Sequence, residues 1–204
     1  MAICYLVGAG DFVGEISKNP NDIIIAADGG YDALIQHGYI PDLLIGDFDS
    51  IECDIPENIE TLRFPKEKDE TDMLLAYREG VKRGYKSFVI LGATGGRLDH
   101  TMANIALLAH FKKYGHEAKI IGQNQIILAI KNESTIISGT KGEYFSIFAY
   151  GSDAMGVSVK GAKYSVSDTV LSCDFPLGVS NEFLDTECEI SVMDGTLIIM
   201  YQTN

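Results

Sequence analysis

The sequence predicts an α/β fold in two parts: a Rossmann-like N-terminal domain with a parallel sheet, followed by a C-terminal antiparallel β-sandwich. In the first half, continuously apolar runs alternate with helical patterns, as in parallel strands that are buried on both faces. From about Ile126 the apolar period becomes two and turn residues recur, which is typical of short antiparallel strands. We therefore expect an α/β domain at residues 1–125 and a β-sandwich at residues 126–204.

Apolar runs predict the strands, and those of the first domain end close to a glycine. The runs of the first domain cover residues 3–7, 23–27, 43–45 and 88–91. Those of the second cover residues 126–130, 144–149, 157–159, 189–193 and 197–200. Between the last two, Asp194-Gly195 predicts a β-hairpin.

Three helices are predicted in the first domain. The first is expected to start after Asp28 as its N-cap and to end near Gly38. Asp69 and Asp72 open the second, which Gly84 ends. Its apolar stripe consists of Met73, Leu74, Tyr77 and Val81. The stripe of the third consists of Met102, Ile105, Leu108 and Ala109.

Composition argues against several kinds of partner. The 204 residues carry a net charge of -13, so nucleic acid and anionic membrane surfaces are poor partners. The four cysteines lie far apart without a C-x-x-C pair, which argues against a zinc site and a disulfide framework. We expect a cytoplasmic protein without a membrane span, whose N-terminal apolar run is a core strand rather than a signal peptide.

The sharpest chemical signal is the loop D-F-D-S after the third strand. If the chain stays extended there, Asp47 and Asp49 point to the same side. Two carboxylates about 7 Å apart repel by roughly 2 kcal/mol at an effective dielectric near 20, and a nearby Asp72 adds to that. Oxygen ligands without histidine or cysteine favour Mg²⁺. The alternative is a simple turn in which Asp49 or Ser50 bonds its own backbone.

The segment K-D-E-T-D at residues 68–72 mixes charges at a predicted helix start. Asp69 can cap the helix and Asp72 can complement its dipole, which would make both structural. Lys68 fits that explanation less well, because a cation is unfavourable at a helix N-terminus but useful for a phosphate. We expect Asp72 to be a metal ligand, while Asp69 stays open between ligand and cap.

A glycine-rich loop, G-A-T-G-G-R-L-D-H at residues 92–100, runs from a strand into a helix. Its backbone N–H groups and the helix N-terminus form a cradle for anions. Arg97 is expected to clamp a phosphate, and Asp99 to cap the helix, to orient Arg97 or to hold a metal-bound water. The loop is not a Walker A motif, and Gly8-Ala9-Gly10 matches the dinucleotide fingerprint so weakly that a tight turn is the simpler explanation.

Together these loops resemble the thiamine pyrophosphokinase family. The matching strings are A-A-D-G-G at 26–30, P-D-L-L-I-G-D-F-D-S at 41–50, K-D-E-T-D at 68–72, G-A-T-G-G-R-L-D-H at 92–100 and, more weakly, F-P-L-G-V-S-N-E-F at 175–183. The resemblance covers nearly the whole chain. It implies transfer of the diphosphate of ATP to thiamine with release of AMP, by a homodimer whose site lies between subunits.

The resemblance also implies roles for individual residues. Mg²⁺ would be held by Asp47, Asp49 and Asp72. ATP would be contacted by Asp28, Gly29, Thr71, Arg97 and Asp99, and Lys68 would add positive charge beside Arg97. Ser180 and Asn181 of the partner subunit would bind the thiamine pyrimidine, and Phe183 would replace a tryptophan that stacks on thiamine in some relatives.

The residues alone leave two other functions open. A Mg²⁺-dependent phosphohydrolase would use Asp47 as nucleophile and form an aspartyl-phosphate without an acceptor alcohol. A nucleotide-binding sensor would bind ATP without turning over any thiamine-like alcohol. For the transfer itself no general base is evident, and one of the aspartates would accept the hydroxyl proton.

Overall fold

The structure, a computed structural model, describes residues 1–203 and divides into two compact units. The first unit consists of residues 1–107 and 115–123. The second consists of residues 108–114 and the chain from Asn124 onward, so that it includes the end of the third helix. Within residues 1–203, no helix has both the length and the apolar character needed to cross a membrane.

The first unit contains a parallel sheet, as the sequence predicts, but the sheet has six strands where four were predicted. Its strands are β1 (Ile3–Val7), β2 (Ile23–Ala27), β3 (Leu43–Gly46), β4 (Glu60–Arg63), β5 (Ser87–Leu91) and β6 (Glu117–Gly122). Hydrogen bonding orders them β6-β5-β1-β2-β3-β4, and every adjacent pair is parallel. Every residue of β2 and β3 is buried, which is why these strands appear in the sequence as uninterrupted apolar runs.

Three helices follow strands of this sheet: α1 (Gly30–Gln36), α2 (Asp72–Lys82) and α3 (Leu98–Lys113). The first two are capped differently from the prediction. Gly29 is the N-cap of α1, and Asp28 stands just outside the helix. Thr71 rather than Asp69 caps α2, because its hydroxyl accepts a hydrogen bond from the Leu74 N–H at 3.2 Å. Asp28 and Asp69 therefore have no capping role.

The predicted helix stripes are only partly correct. In α2, Met73 and Tyr77 are buried as expected. In α3, Leu108 is fully buried together with Phe111, which the predicted stripe omitted, whereas Met102 is 54% exposed. The first turns of α3 therefore face solvent, and its end supplies the buried contacts.

The second unit is a β-sandwich, as predicted. Its strands are β7 (Gln125–Lys131), β8 (Ser134–Ser138), β9 (Tyr144–Ala149), β10 (Ala154–Lys160), β11 (Val166–Leu171), β12 (Asn181–Glu182), β13 (Glu187–Ser191) and β14 (Thr196–Gln202). Antiparallel pairing gives the orders β12-β9-β14-β7 and β11-β10-β13-β8. Side chains of both sheets, such as Ile147 of β9 and Ile190 of β13, form one buried core.

The hairpin predicted at Asp194-Gly195 is wrong. β13 pairs with β8 and β10, whereas β14 pairs with β7 and β9, so the strands that flank this turn belong to different sheets. Gly195 has a φ of 121°, and its N–H donates to Asn132 Oδ1 at 2.8 Å. The Asp-Gly pair therefore makes the bend by which the chain crosses between the two sheets of the sandwich.

Candidate active site

Four loops meet at the carboxyl end of the parallel sheet. They follow β1, β2, β3 and β5, and they share one edge because the strands all run in the same direction. Ligands of open α/β sheets bind outside this edge. The loops contain the predicted site residues at 28–29, 47–50 and 92–99, and the helix start at 68–72 follows the edge strand β4.

Asp28 forms a strained turn directly after β2. Its φ of 47° is uncommon for a residue with a side chain, and its backbone N–H donates to the Ile45 carbonyl at 2.7 Å. The carboxylate accepts hydrogen bonds from the Phe48 N–H at 3.1 Å and from the Ser50 hydroxyl. Asp28 therefore ties the loop after β2 to the loop after β3.

Asp28, Asp47 and Asp49 each bring a carboxylate oxygen within 4.8 Å of the other two. The extended path predicted for D-F-D-S is wrong: Phe48 has a φ of 68°, and the Asp49 N–H donates to Asp47 Oδ1 at 3.1 Å. Three carboxylates this close repel one another, and an all-oxygen donor set fits a hard divalent cation such as Mg²⁺. We name this group the acidic cluster. Its member Asp28 was predicted as an ATP contact rather than as a metal ligand.

Two basic side chains border the acidic cluster, and sequence reasoning singled out neither. Nε of Arg63 on β4 donates to the Asp47 carbonyl at 3.2 Å and supports the curled loop. Lys66 forms an ion pair with Asp49. The hydrogen bond from Lys66 is the main cause that lowers the pKa of Asp49. The pKa of Lys66 is raised chiefly by its hydrogen bond to Asp49 and further by the charges of Asp47 and Asp28.

Asp72, the third predicted metal ligand, stands outside the acidic cluster as the first residue of α2. Lys68 Nζ lies 3.0 Å from Asp72 Oδ1. The contact is an ion pair, and within residues 1–203 this buried oxygen accepts no hydrogen bond of regular geometry. Burial raises the pKa of Asp72, Lys68 opposes the rise, and the charges of Asp28 and Asp47 add to it. A buried carboxylate oxygen whose observed partner is an ammonium group can also take a metal cation as its partner.

Two glycine loops interlock at the same edge of the sheet. The Gly10 N–H donates to the Gly92 carbonyl and the Asp11 N–H to the Thr94 carbonyl, both at 2.8 Å. A Cβ on Gly10 would clash with the Thr94 oxygen and lie 2.8 Å from the Gly92 oxygen. The turn at Gly8-Ala9-Gly10 therefore holds the glycine-rich loop in place, a role that its weak fingerprint match did not reveal.

The end of the glycine-rich loop presents a paired arginine. Gly95 and Gly96 have φ values of 84° and 58°, which glycine adopts without strain. Arg97 then pairs with Asp99, with Nη2 2.6 Å from Oδ2 and Nε 3.2 Å from Oδ1. Of the roles considered for Asp99, this geometry corresponds to the orientation of Arg97. The pair uses two of the five guanidinium N–H groups and leaves three for an anion.

Other residues of this edge have structural roles. Gly29 and Thr71, both expected to contact ATP, are the N-caps of α1 and α2. Asn104 of α3 is buried, and its Nδ2 donates to the Ala93 carbonyl at 2.8 Å, which ties the glycine-rich loop to the helix. A single asparagine in a helical pattern carries no sequence signal for such a contact, and Asn104 was missed.

The residues expected to bind thiamine lie in the second unit. Ser180 is exposed with a φ of 59°, and its N–H donates to a serine hydroxyl of β9. Asn181 is buried, and its amide accepts from the Tyr164 N–H at 3.0 Å and donates to the Tyr164 carbonyl at 2.9 Å. Phe183 is only 1% exposed and packs on Phe145 in the sandwich core. The expectation that Phe183 stacks on thiamine is therefore wrong.

Comparisons with known proteins identify a family for both parts of the chain. Residues 16–121 match the family model "Thiamin pyrophosphokinase, catalytic domain", and residues 127–197 match "Thiamin pyrophosphokinase, vitamin B1 binding domain". The thiamine pyrophosphokinase of Bacillus subtilis is 30% identical over 186 residues, which cover 88% of this chain and 87% of that protein. Thiamine pyrophosphokinase 1 of Oryza sativa is 26% identical over 161 residues, or 72% of this chain and 61% of that protein.

Solved structures of thiamine pyrophosphokinases have the same fold as this chain. The crystal structure of the Bacillus subtilis thiamine pyrophosphokinase has a TM-score of 0.86 at 25% identity and covers both chains completely. Thiamin pyrophosphokinase from Candida albicans has a TM-score of 0.77 at 18% identity, with 98% of this chain and 89% of that chain covered. At this lower identity the likeness concerns the fold alone.

Proposed function

The chain belongs to the thiamin pyrophosphokinase family, and we propose that the carboxyl-end loops of its first unit carry out the family's reaction. That reaction transfers the diphosphate of ATP to thiamine and yields AMP and thiamine diphosphate. The observation that carries the assignment is the match of two family models along one chain, one for the catalytic domain and one for the vitamin-binding domain.

Asp47, Asp49 and Asp72 are the proposed Mg²⁺ ligands, and Asp28 becomes a further candidate. Support comes from the closely spaced oxygens of the acidic cluster and from the buried Asp72 oxygen, whose observed partner is an ammonium group. Magnesium would neutralise phosphate charge and align the transferred group. The protein's own part is to hold the loops rigid through the bonds of Asp28 to Phe48 and Ser50.

The proposed ATP contacts are Asp28, Gly29, Lys68, Thr71, Arg97 and Asp99. The glycine-rich loop at residues 92–97 would provide backbone N–H groups for phosphate oxygens, and the turn at Gly8-Ala9-Gly10 would hold it in place. Arg97 is oriented by Asp99 and keeps three N–H groups for the anion. Transfer of this kind depends on positioning and charge neutralisation, both of which these residues can supply.

The thiamine pocket, the assembly and the location are proposed on the family resemblance. Ser180 and Asn181 of the partner subunit would bind the thiamine pyrimidine in a homodimer. The exposed Ser180 is free to do so, whereas the Asn181 amide is already engaged by Tyr164 and would act mainly by shaping the segment. Sedimentation at the protein concentrations used for kinetics tests whether the chain is a dimer. The proposed cytoplasmic location rests on the cysteine pattern.

The decisive experiment incubates the protein with ATP and Mg²⁺, with and without thiamine. We expect ATP consumption that depends on thiamine, together with a phosphorylated thiamine product. ATP hydrolysis without thiamine, with an aspartyl-phosphate trapped on Asp47, would instead favour a phosphohydrolase. Binding of ATP with no turnover under either condition would favour a nucleotide sensor.

A further inference from the structure

Lys66 lies beside the acidic cluster in a way that its sequence position does not suggest. It belongs to the loop between β4 and α2, and its ammonium forms an ion pair with Asp49 Oδ2. The charges of Asp47 and Asp28 also act on it. One monovalent cation is thus paired with a member of a group of three carboxylates, where a divalent cation would fit.

The two lysines of this loop are held very differently. The Lys68 side chain is 14% exposed, is paired with Asp72 and donates to the Pro65 carbonyl at 3.3 Å. The Lys66 side chain is 78% exposed, and Asp49 is the partner that holds it. Exposed ion pairs contribute little and exchange readily. Lys66 can therefore leave its carboxylate at small cost, whereas Lys68 is fixed.

We propose that Lys66 is a resident counter-ion of the acidic cluster, which a divalent cation displaces and which then binds the phosphates of the nucleotide. The inference rests on the proposed function, because it assumes that the cluster holds a metal and that ATP binds at this edge. It makes Lys66 a competitor of the metal and a ligand of ATP. No covalent bond is made or broken by this exchange of partners.

The exchange predicts effects of opposite sign when the charge of Lys66 is removed. In Lys66→Ala, the metal no longer competes with an ammonium, so Mn²⁺ alone should bind about two- to fivefold more tightly, the range that an exposed ion pair provides. At saturating metal, ATP should bind about three- to tenfold more weakly, because one charge-assisted contact is lost. A structural role for Lys66 would weaken both.

The test measures Mn²⁺ binding without nucleotide, by electron paramagnetic resonance, and ATP binding at saturating Mg²⁺, by calorimetry. Lys160→Ala is the matched control: Lys160 pairs with Glu189 in the second unit, with side-chain exposures of 72% and 45% against 78% and 45% for Lys66 and Asp49. Lys66→Arg keeps the charge and should behave as the unaltered protein. Lys160→Ala should change neither affinity.

Tighter Mn²⁺ binding and weaker ATP binding in Lys66→Ala alone would support the inference. Unchanged or weaker Mn²⁺ binding would overturn it, and so would unchanged ATP binding. Turnover of thiamine by the unaltered protein is measured in the same preparation. Failure of the proposed function would appear there, whereas failure of the Lys66 inference would leave that turnover intact and appear only in the two affinities.

Discussion

The loop at 46–50 in the first unit and the segment at 180–182 in the second both place polar side chains beside a residue of positive φ. In the first, Phe48 at 68° turns the chain so that Asp47 and Asp49 join Asp28, and the carboxylates face one another. In the second, Ser180 at 59° precedes Asn181, whose amide is bonded to backbone groups. A residue of positive φ therefore brings carboxylates together in the first region, and in the second it precedes an amide whose hydrogen bonds are made within the protein.

Removing a carboxylate should reduce turnover much more in the first region than in the second unit, and this is the largest effect we expect. In Asp49→Asn we expect kcat/KM to fall about 10²- to 10³-fold, because charge stabilisation at the transferred phosphate is lost. Tm should stay almost unchanged, since an exposed ion pair with Lys66 is worth little. Asp185→Asn, an exposed carboxylate of the second unit, is the control. Equal turnover in both variants would contradict the role of the acidic cluster.

The interlocked glycine loops can be broken by one methyl group. Gly10→Ala should cost up to about 3 kcal/mol, as overpacking does, because the neighbouring carbonyls belong to the backbone. It should also raise KM for ATP, since the glycine-rich loop must shift. Gly96→Ala, in the glycine-rich loop that Gly10 contacts but with open space around its Cβ, should cost about 1 kcal/mol from its φ of 58°. Urea unfolding and ATP kinetics compare them, and equal effects would refute the interlock.

In the second unit, Asn181 should contribute to stability and Ser180 to the binding of thiamine. Asn181→Ala leaves backbone groups of Tyr164 unpaired and should cost about 1–3 kcal/mol in urea unfolding. Ser180→Ala should change the free energy of unfolding by less than about 0.5 kcal/mol, with its effect confined to KM for thiamine. An Asn181→Ala protein of unchanged stability but raised KM would show that Asn181 serves the ligand instead.

The substitution Asp72→Asn should cause the smallest of these effects, a change in stability that depends on pH. The pKa of Asp72 lies above the ordinary value of 3.8 because burial disfavours the charged form, so the folded protein is penalised when Asp72 ionises. Asp72→Asn carries no such charge and should raise the Tm of the ligand-free protein by about 1–2 °C at pH 7. The difference should vanish as the pH falls below the ordinary value. A Tm that drops at pH 7 would contradict this.

Much of the first unit was predictable because parallel strands that are buried on both faces have continuously apolar sequences. The edge strand β4 was not, since its residues E-T-L-R are mostly exposed and form no such run. The role of Asp28 in the acidic cluster was also hidden, because its side chain meets the next loop only through the register of β2 and β3. At Asp194-Gly195 a local turn signal was correct for the bend, but pairing across the sandwich decided which strands it joins.

The central claim, that the first unit presents a diphosphate-transfer site, is tested most directly by the nucleotide that leaves. Attack of the thiamine hydroxyl at the β-phosphorus releases AMP, whereas attack at the γ-phosphorus releases ADP. Chromatography of a thiamine-dependent reaction with ATP and Mg²⁺ separates the two. The account predicts AMP and thiamine diphosphate in equal amounts, and ADP with thiamine monophosphate would contradict it.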